Sequence, residues 1–297
     1  MKKGRARVER YHKALMGDEF PLFQEWLTKP LKKSLRVNTI KADRKWILSR
    51  LQDAGAKPKQ IPWCEEGFWV ENRPWGATFL HQLGFIYMQG AASMLPAELL
   101  APEMGDVVLD LAAAPGSKTT QLAPRCDTVV ANEPVYDRRK MLFSNLYRCG
   151  VSNCAVTHYD GRSFPDEVEF DKILLDAPCS DIGVARRRES ILNTWSEGRA
   201  KRTATLQKQL LKNAFNLLKP GGELVYSTCT TTLEENEEVV FELLDYVPEA
   251  ELVRIGKRSK LKSRPGLLPG TEDCMRVYPW DNDTEFFFLA KFKNGSG

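Results

Sequence analysis

Histidine is scarce in this chain of 297 residues: His12, His81 and His158 stand far apart. Its seven cysteines, Cys64, Cys126, Cys149, Cys154, Cys179, Cys229 and Cys274, are odd in number and never take a paired C-x-x-C spacing. No zinc-type ligand pattern results, so no metal is expected. Apolar runs all fall short of the roughly 18 residues a membrane span needs. The Met1-Lys-Lys-Gly-Arg5 opening has no apolar stretch behind it. A cytoplasmic protein without a membrane partner is the expectation. In a reducing compartment the thiols are mostly buried side chains, with a Cys149 to Cys154 disulfide left open for a hyperthermophilic source. Repeats are missing, and low complexity is confined to the Asn294-Gly-Ser-Gly297 tail. A large excess of either charge is also lacking: 43 Lys and Arg against 39 Asp and Glu leave +4, which permits an anionic partner without requiring one.

What is present suits packed cores, since 42% of the residues are hydrophobic and 10% aromatic. Residues 1–90 read as a small N-terminal α+β domain, with helices over 9–26 and 44–55 and strands over 35–39, 67–70 and 84–88. Lys2, Lys3, Arg5, Arg7, Arg10, Lys29, Lys32, Lys33, Arg36 and Lys41 share it with Trp26, Trp63, Trp69 and Trp75. Such a set either grips phosphates and stacks bases or is solvated charge over an aromatic core. Residues 91–297 alternate β-branched strands, over 107–111, 128–133, 154–159, 172–175 and 222–227, with helices such as 136–149 and 201–218. A last strand falls over 285–292. This is the pattern of a doubly wound, Rossmann-like α/β domain with a parallel sheet. Basic stretches at 186–188 and 254–264 fall in loops.

The stretch that organises the second domain is Asp110-Leu-Ala-Ala-Ala-Pro-Gly-Ser-Lys-Thr-Thr-Gln121, a strand-to-helix turn of small residues. Small residues let the backbone approach a ligand, and the helix start offers free amides. With Gly116 as its only glycine it is not a dinucleotide fingerprint, and Ser117 breaks the G-K-[ST] of a P-loop. Ligands of such sheets bind beyond the carboxyl ends of the strands. There stand Asp110, Glu133, Asp160, Asp176 with Cys179, and Cys229. Glu133 is placed to bind ribose hydroxyls, and Asp160 to accept from an adenine amino group. Singly, each acid is as well explained by a helix cap or an ion pair; their common location is the argument. Asp176-Ala-Pro-Cys179 and Ser227-Thr-Cys229 bring two thiols to one sheet edge. Thr232-Leu-Glu-Glu235 reads as a capping box opening a helix over 234–246, whose positive end would favour a Cys229 thiolate.

These motifs, with Ser34-Leu-Arg-Val-Asn-Thr39, Arg276-Val-Tyr-Pro279 and Glu234-Glu-Asn-Glu237, resemble those of the Sun/Nop-type RNA (cytosine-5) methyltransferase family over nearly the whole chain. The likeness is strongest to its compact archaeal tRNA members. It implies S-adenosyl-L-methionine as cofactor, held by Ala112, Ala113, Ala114, Pro115, Gly116, Ser117 and Lys118, with Glu133 on the ribose, Arg138 nearby and Asp160 toward the adenine. Cys229 would add to carbon 6 of a cytosine, Asp176 would hold the base, and Cys179 would help release the product. RNA is the implied partner, tRNA rather than ribosomal RNA, gripped by the N-terminal domain and residues 186–188; no obligate protein partner is implied. Three positions depart from the family's usual pattern: Asp181 where a small residue is common, Gly90 where many members carry an acid, and Trp280 where histidine is common. A DNA cytosine methyltransferase would use Cys179 as nucleophile and need a DNA-reading domain that is not evident. A nonenzymatic RNA-binding factor would be expected to have lost these cysteines and acids.

Overall fold

Two β-sheets organise the chain in the computed structural model, which describes residues 2–256 and 260–295. The first is antiparallel and has four strands, β1 (Lys33–Val37), β2 (Lys59–Gln60), β3 (Gly67–Val70) and β4 (Ile86–Met88), in the order β2-β3-β1-β4. Asp43 caps helix Arg44–Asp53 by accepting from the amides of Lys45 and Trp46. One turn apart on that helix, Ile47 and Leu51 pack on Leu35, Val37 and Phe68. Trp75 closes the same core, and Trp63, also buried, donates to the Ala91 carbonyl. The aromatic-core reading therefore holds for these two tryptophans, and base stacking does not.

The second sheet has eight strands: β5 (Val107–Asp110), β6 (Thr128–Asn132), β7 (Cys154–Thr157), β8 (Phe170–Asp176), β9 (Leu218–Thr228), β10 (Ala250–Val253), β11 (Met275–Val277) and β12 (Phe287–Asn294). Its path is β10-β12-β9-β8-β5-β6-β7, with β11 paired to β12. The run from β9 to β7 is parallel; β12 then lies antiparallel on β9 and β10 on β12. Side chains alternate across a strand, so neighbours serve opposite cores. Leu109, Ile173, Leu175, Leu224 and Tyr226 meet helices Glu197–Asn216 and Glu237–Tyr246 on one face, while Val108, Leu174 and Val225 meet helix Leu95–Leu100 on the other.

The helix expected over 9–26 is two helices, Lys2–Met16 and Phe20–Thr28, separated by a 3-10 turn at Gly17–Glu19. Gly17 takes a positive φ of 54°, and Pro21 sits in the first turn of the second helix, where it starts a helix but could not continue one. Both helices pack their apolar faces on Ile182, Trp195 and Phe286 of the second sheet's loops. All seven cysteines are free, Cys149 and Cys154 included. Among the described residues no helix is long and apolar enough to cross a membrane. Residues 257–259 of the basic stretch and 296–297 of the tail lie outside the described residues.

Candidate active site

The loop after β5 is held from both sides. Helix Tyr136–Cys149 reaches it through Arg138 and Asn145, which donate to the carbonyls of Ala114 and Pro115. From the first sheet the buried guanidinium of Arg36 donates to Ser117 O and Thr120 Oγ1 and to Gln89 Oε1. Arg36 is thus a brace between the sheets, and the expectation that it belongs to a basic surface fails. Gly116 sits at φ 99°, and a Cβ there would stand 2.9 Å from a Leu142 methyl, so the turn is closed to larger residues. Burial raises the Asp110 carboxyl to about 7 despite a hydrogen bond from Thr119; its second oxygen has no partner.

Asp176, at the end of β8, accepts from Lys118 Nζ at 2.5 Å and from Ser227 Oγ at 2.7 Å. Three residues on, Cys179 Sγ lies 3.2 Å from Cys229 Sγ, which stands just past the end of β9. Both thiols point at Asp181 Oδ1, at 3.5 and 3.4 Å. Under this loop the Glu235 carboxylate accepts from the Ser180 amide and from the hydroxyls of Ser180 and Thr232. Burial raises its carboxyl against those hydrogen bonds.

The capping-box reading fails at this point. Thr232 bonds the Glu235 side chain rather than a backbone amide, and the helix opens later, as Glu237–Tyr246. Helix-end stabilisation of a thiolate fails with it. The hydrogen bond with Cys179 pulls the Cys229 thiol down, yet burial and the carboxylates of Asp181 and Asp176 outweigh it and leave it above its ordinary range. Cys179 is raised well above that range by its hydrogen bond to Cys229 and by burial. Both are neutral thiols at rest.

Two cavities meet over this cluster, sharing Ala112, Ala114, Asp176 and Cys229. The larger, about 610 Å³, is lined by Glu133, Arg138 and Asp160 and walled by Pro134, Leu206 and Leu210. Its carboxylate, apolar walls and arginine suit the ribose and base of a nucleoside. Glu133 is buried, accepts from the Val135 amide at 2.9 Å and pairs with Arg138 at 3.4 Å. Asp160 is chelated by its own Arg162, whose hydrogen bonds lower it to about 2. The smaller cavity, about 300 Å³, is lined by Ala113, Pro115, Ser117 and Lys118 together with Ser93, Arg187 and Glu285. The single pocket expected over residues 112–118 is therefore split, and Lys118 faces the smaller cavity. Ser93, which bonds Lys118, escaped the sequence reading, and Ser227, which bonds Asp176, stood there only as part of the Cys229 motif with no role of its own, because a serine carries no signal until its partner is placed.

The 186–188 stretch divides as well. Arg186 is buried, bonding the carbonyls of Lys29, Pro30 and Thr284 and pairing with Asp283, so it is a clamp and not an RNA contact. Arg187 pairs with Glu285 and Arg188 with Asp181, and both keep more than half of their side chains exposed.

The family model described as 16S rRNA methyltransferase RsmB/F matches residues 97–293, and the one for the N-terminal domain of 16S rRNA methyltransferase RsmF matches residues 6–91. Ribosomal RNA small subunit methyltransferase F of Erwinia tasmaniensis is 41% identical over 289 residues, covering 93% of this chain and 60% of the relative. The chain thus spans about 60% of the length of such curated relatives. A crystal structure of a methyltransferase homologue from Pyrococcus horikoshii matches with a TM-score of 0.83 at 34% identity, over 94% of this chain and 91% of that one. NSun6 from the same organism, solved with SFG, matches with a TM-score of 0.86 at 25% identity, over 98% of each chain.

Proposed function

This chain belongs to the RsmB/F family of S-adenosyl-L-methionine-dependent RNA methyltransferases, and from that premise we propose that it methylates carbon 5 of a cytosine in small-subunit ribosomal RNA. The observation that carries the reading is the meeting of two thiols 3.2 Å apart with Asp176 where two cavities join. The larger cavity takes the cofactor, with Glu133 toward the ribose and Asp160 toward the adenine, and the smaller takes the target base. The curated relatives are named for small-subunit ribosomal RNA, which supports that substrate above the transfer RNA expected from the motifs.

Bound S-adenosyl-L-methionine supplies an electrophilic methyl group. Carbon 5 of cytosine is a poor nucleophile until a covalent bond at carbon 6 activates it, and Cys229 Sγ makes that bond. Asp176, fixed by Lys118 and Ser227, faces the ring nitrogen and amino group and steadies the electron-rich ring. Cys179, 3.2 Å from the nucleophile, gives up its own proton to water and then acts as the base that takes the carbon-5 proton when the adduct breaks down. The base must leave its stack to enter, which is least costly from a loop or single strand.

The test compares wild type, Cys229→Ala and Cys179→Ala with labelled cofactor on 16S ribosomal RNA and on bulk tRNA, reading methyl transfer and denaturant-resistant protein-RNA adducts. Loss of both in Cys229→Ala with adduct accumulating in Cys179→Ala is expected. Transfer that survives Cys229→Ala but not Cys179→Ala reverses the two roles, and transfer to tRNA alone overturns the substrate.

A further inference from the structure

The two active-site thiols share one acceptor, and it belongs to neither motif. Asp181 Oδ1 lies 3.4 Å from Cys229 Sγ and 3.5 Å from Cys179 Sγ, while its Oδ2 takes a hydrogen bond from Arg188 at 3.1 Å. The backbone of Asp181 is left-handed, φ 63° and ψ 13°, a conformation that side chains other than glycine, asparagine and aspartate rarely take. Its carboxylate precedes the turn Ile182–Val184 without capping it, so local structure does not account for where it points. That turn is tied to the nucleophile: the Gly183 amide donates to the Cys229 carbonyl at 2.9 Å. A resting thiol held above its ordinary range needs a partner to take its proton, and the other charged groups around the pair are Asp176 with its Lys118, Glu235 and Arg188. Lys118 and Arg188 accept no proton, while Asp176 is engaged by Lys118 and Ser227.

We propose that Asp181 is the proton acceptor for Cys229, a catalytic role additional to the cysteines and Asp176. The inference rests on the cysteine-adduct reading above. As Sγ bonds to carbon 6, the S–H bond breaks and its proton passes to Asp181 Oδ1. Electrons of the S–H bond form the new S–C bond, and the displaced ring pair moves toward the nitrogen and amino group at Asp176. When the adduct breaks down, Cys179 takes the proton from carbon 5, the electrons of that C–H bond restore the ring double bond, the C–S electrons stay on sulfur, and Sγ recovers its proton from Asp181. Arg188 holds the carboxylate with Oδ1 toward the thiols.

The experiment uses the Cys179→Ser chain, in which the adduct is expected to persist, with Asp181→Asn or Asp181→Gly added; both replacements tolerate the left-handed backbone. Alkylation of Cys229 by iodoacetamide against pH, without RNA, reads the thiol itself. Removing the carboxylate charge should move its midpoint to lower pH. Single-turnover adduct formation on 16S ribosomal RNA at pH 7 should move the other way, slowing about 100-fold, the scale of a lost general base. Added formate should accelerate Asp181→Gly about tenfold or more, with no effect on the parent chain. A purely structural aspartate would shift neither midpoint nor formate response. Adduct formation unslowed in both variants, or slowed without rescue by formate, would overturn the proposal. An adduct that still forms when Cys229 is alanine would overturn it together with the reading beneath it.

Discussion

Lys118 illustrates how one side chain can join two parts of a site. It lies in the loop that follows β5, but its ammonium crosses to Asp176 and Ser93 and lines the smaller cavity. Its partner Asp176 is about a third exposed, so the pair gives little stability and mainly fixes a carboxylate where the base would lie. Lys118→Met is therefore expected to lower methyl transfer about 100-fold, as loss of an oriented electrostatic group does. Affinity for S-adenosyl-L-homocysteine, measured by calorimetry, should stay within about threefold because the larger cavity is untouched. A collapse in that affinity would return Lys118 to the cofactor side. Residue types at the site were legible one by one: Asp176, Cys179 and Cys229 end strands in the sequence and sit together in the fold. Which thiol state they hold was not, because it depends on Asp181 and on burial, and neither is local to a cysteine.

At the scale of elements, the site is a join between the loop after β8 and the end of β9. Gly183 makes that join, since a Cβ there would stand 2.5 Å from the Cys229 carbonyl oxygen and 2.9 Å from Phe286. Backbone cannot yield as a flexible side chain does, so Gly183→Ala is expected to push the two cysteines apart. Overpacking of this kind costs about 1–3 kcal/mol. Methyl transfer should fall by well over tenfold while cofactor affinity is kept; an unchanged rate would show that the spacing of the thiols is not critical. Strand positions were readable from β-branched runs: β3 and the starts of β5, β6 and β7 fall where the sequence puts them. Helix starts were less so. The helix after Cys229 opens at Glu237 because Glu235, expected in its first turn, is consumed by Ser180 and Thr232. No spacing rule anticipates a carboxylate recruited by a loop some 55 residues away.

For the whole molecule, the N-terminal helix Lys2–Met16 reaches the loop after β9 that carries Cys229. His12 is buried there, stacked on Phe23, with its ring nitrogens bonded to the Val8 carbonyl and the Thr231 hydroxyl. Burial lowers it from 6.5 to about 4. The unfolded chain therefore binds a proton that the folded chain refuses between those values, and folding loses stability as pH falls through this window. Between pH 7 and pH 5 the loss from this group is about 2 kcal/mol. Asp110, raised to about 7, works in the opposite sense, so the difference between wild type and His12→Gln in urea midpoints is the quantity to measure. If that difference does not vary with pH, burial does not shift the ring and His12 titrates alike in the folded and unfolded chain.

Arg186 belongs to this scale too, since it ties the segment after helix Phe20–Thr28 to residues 283–284. Arg186→Ala should cost about 3 kcal/mol or more, as removal of a buried ion-pair partner does, and leave the salt slope of RNA binding unchanged. Arg188→Ala should do the reverse, lowering that slope by about one phosphate contact. Equal salt effects from both would place Arg186 on the RNA face after all.

The sequence by itself determined the alternation of strands and helices, the two layers of core, and the set of acids and cysteines at the strand ends. Periodicity and strand termination are local, and local chemistry is written in order along the chain. Only the tertiary structure decided the rest. It divided the residues of the β5 loop between two cavities, turned Arg36, Arg186 and the tryptophans Trp63 and Trp75 inward, and set Asp181 against both thiols. The physical reason is the same each time. A charge or a thiol takes its state from what surrounds it, and those surroundings come from segments far apart in sequence.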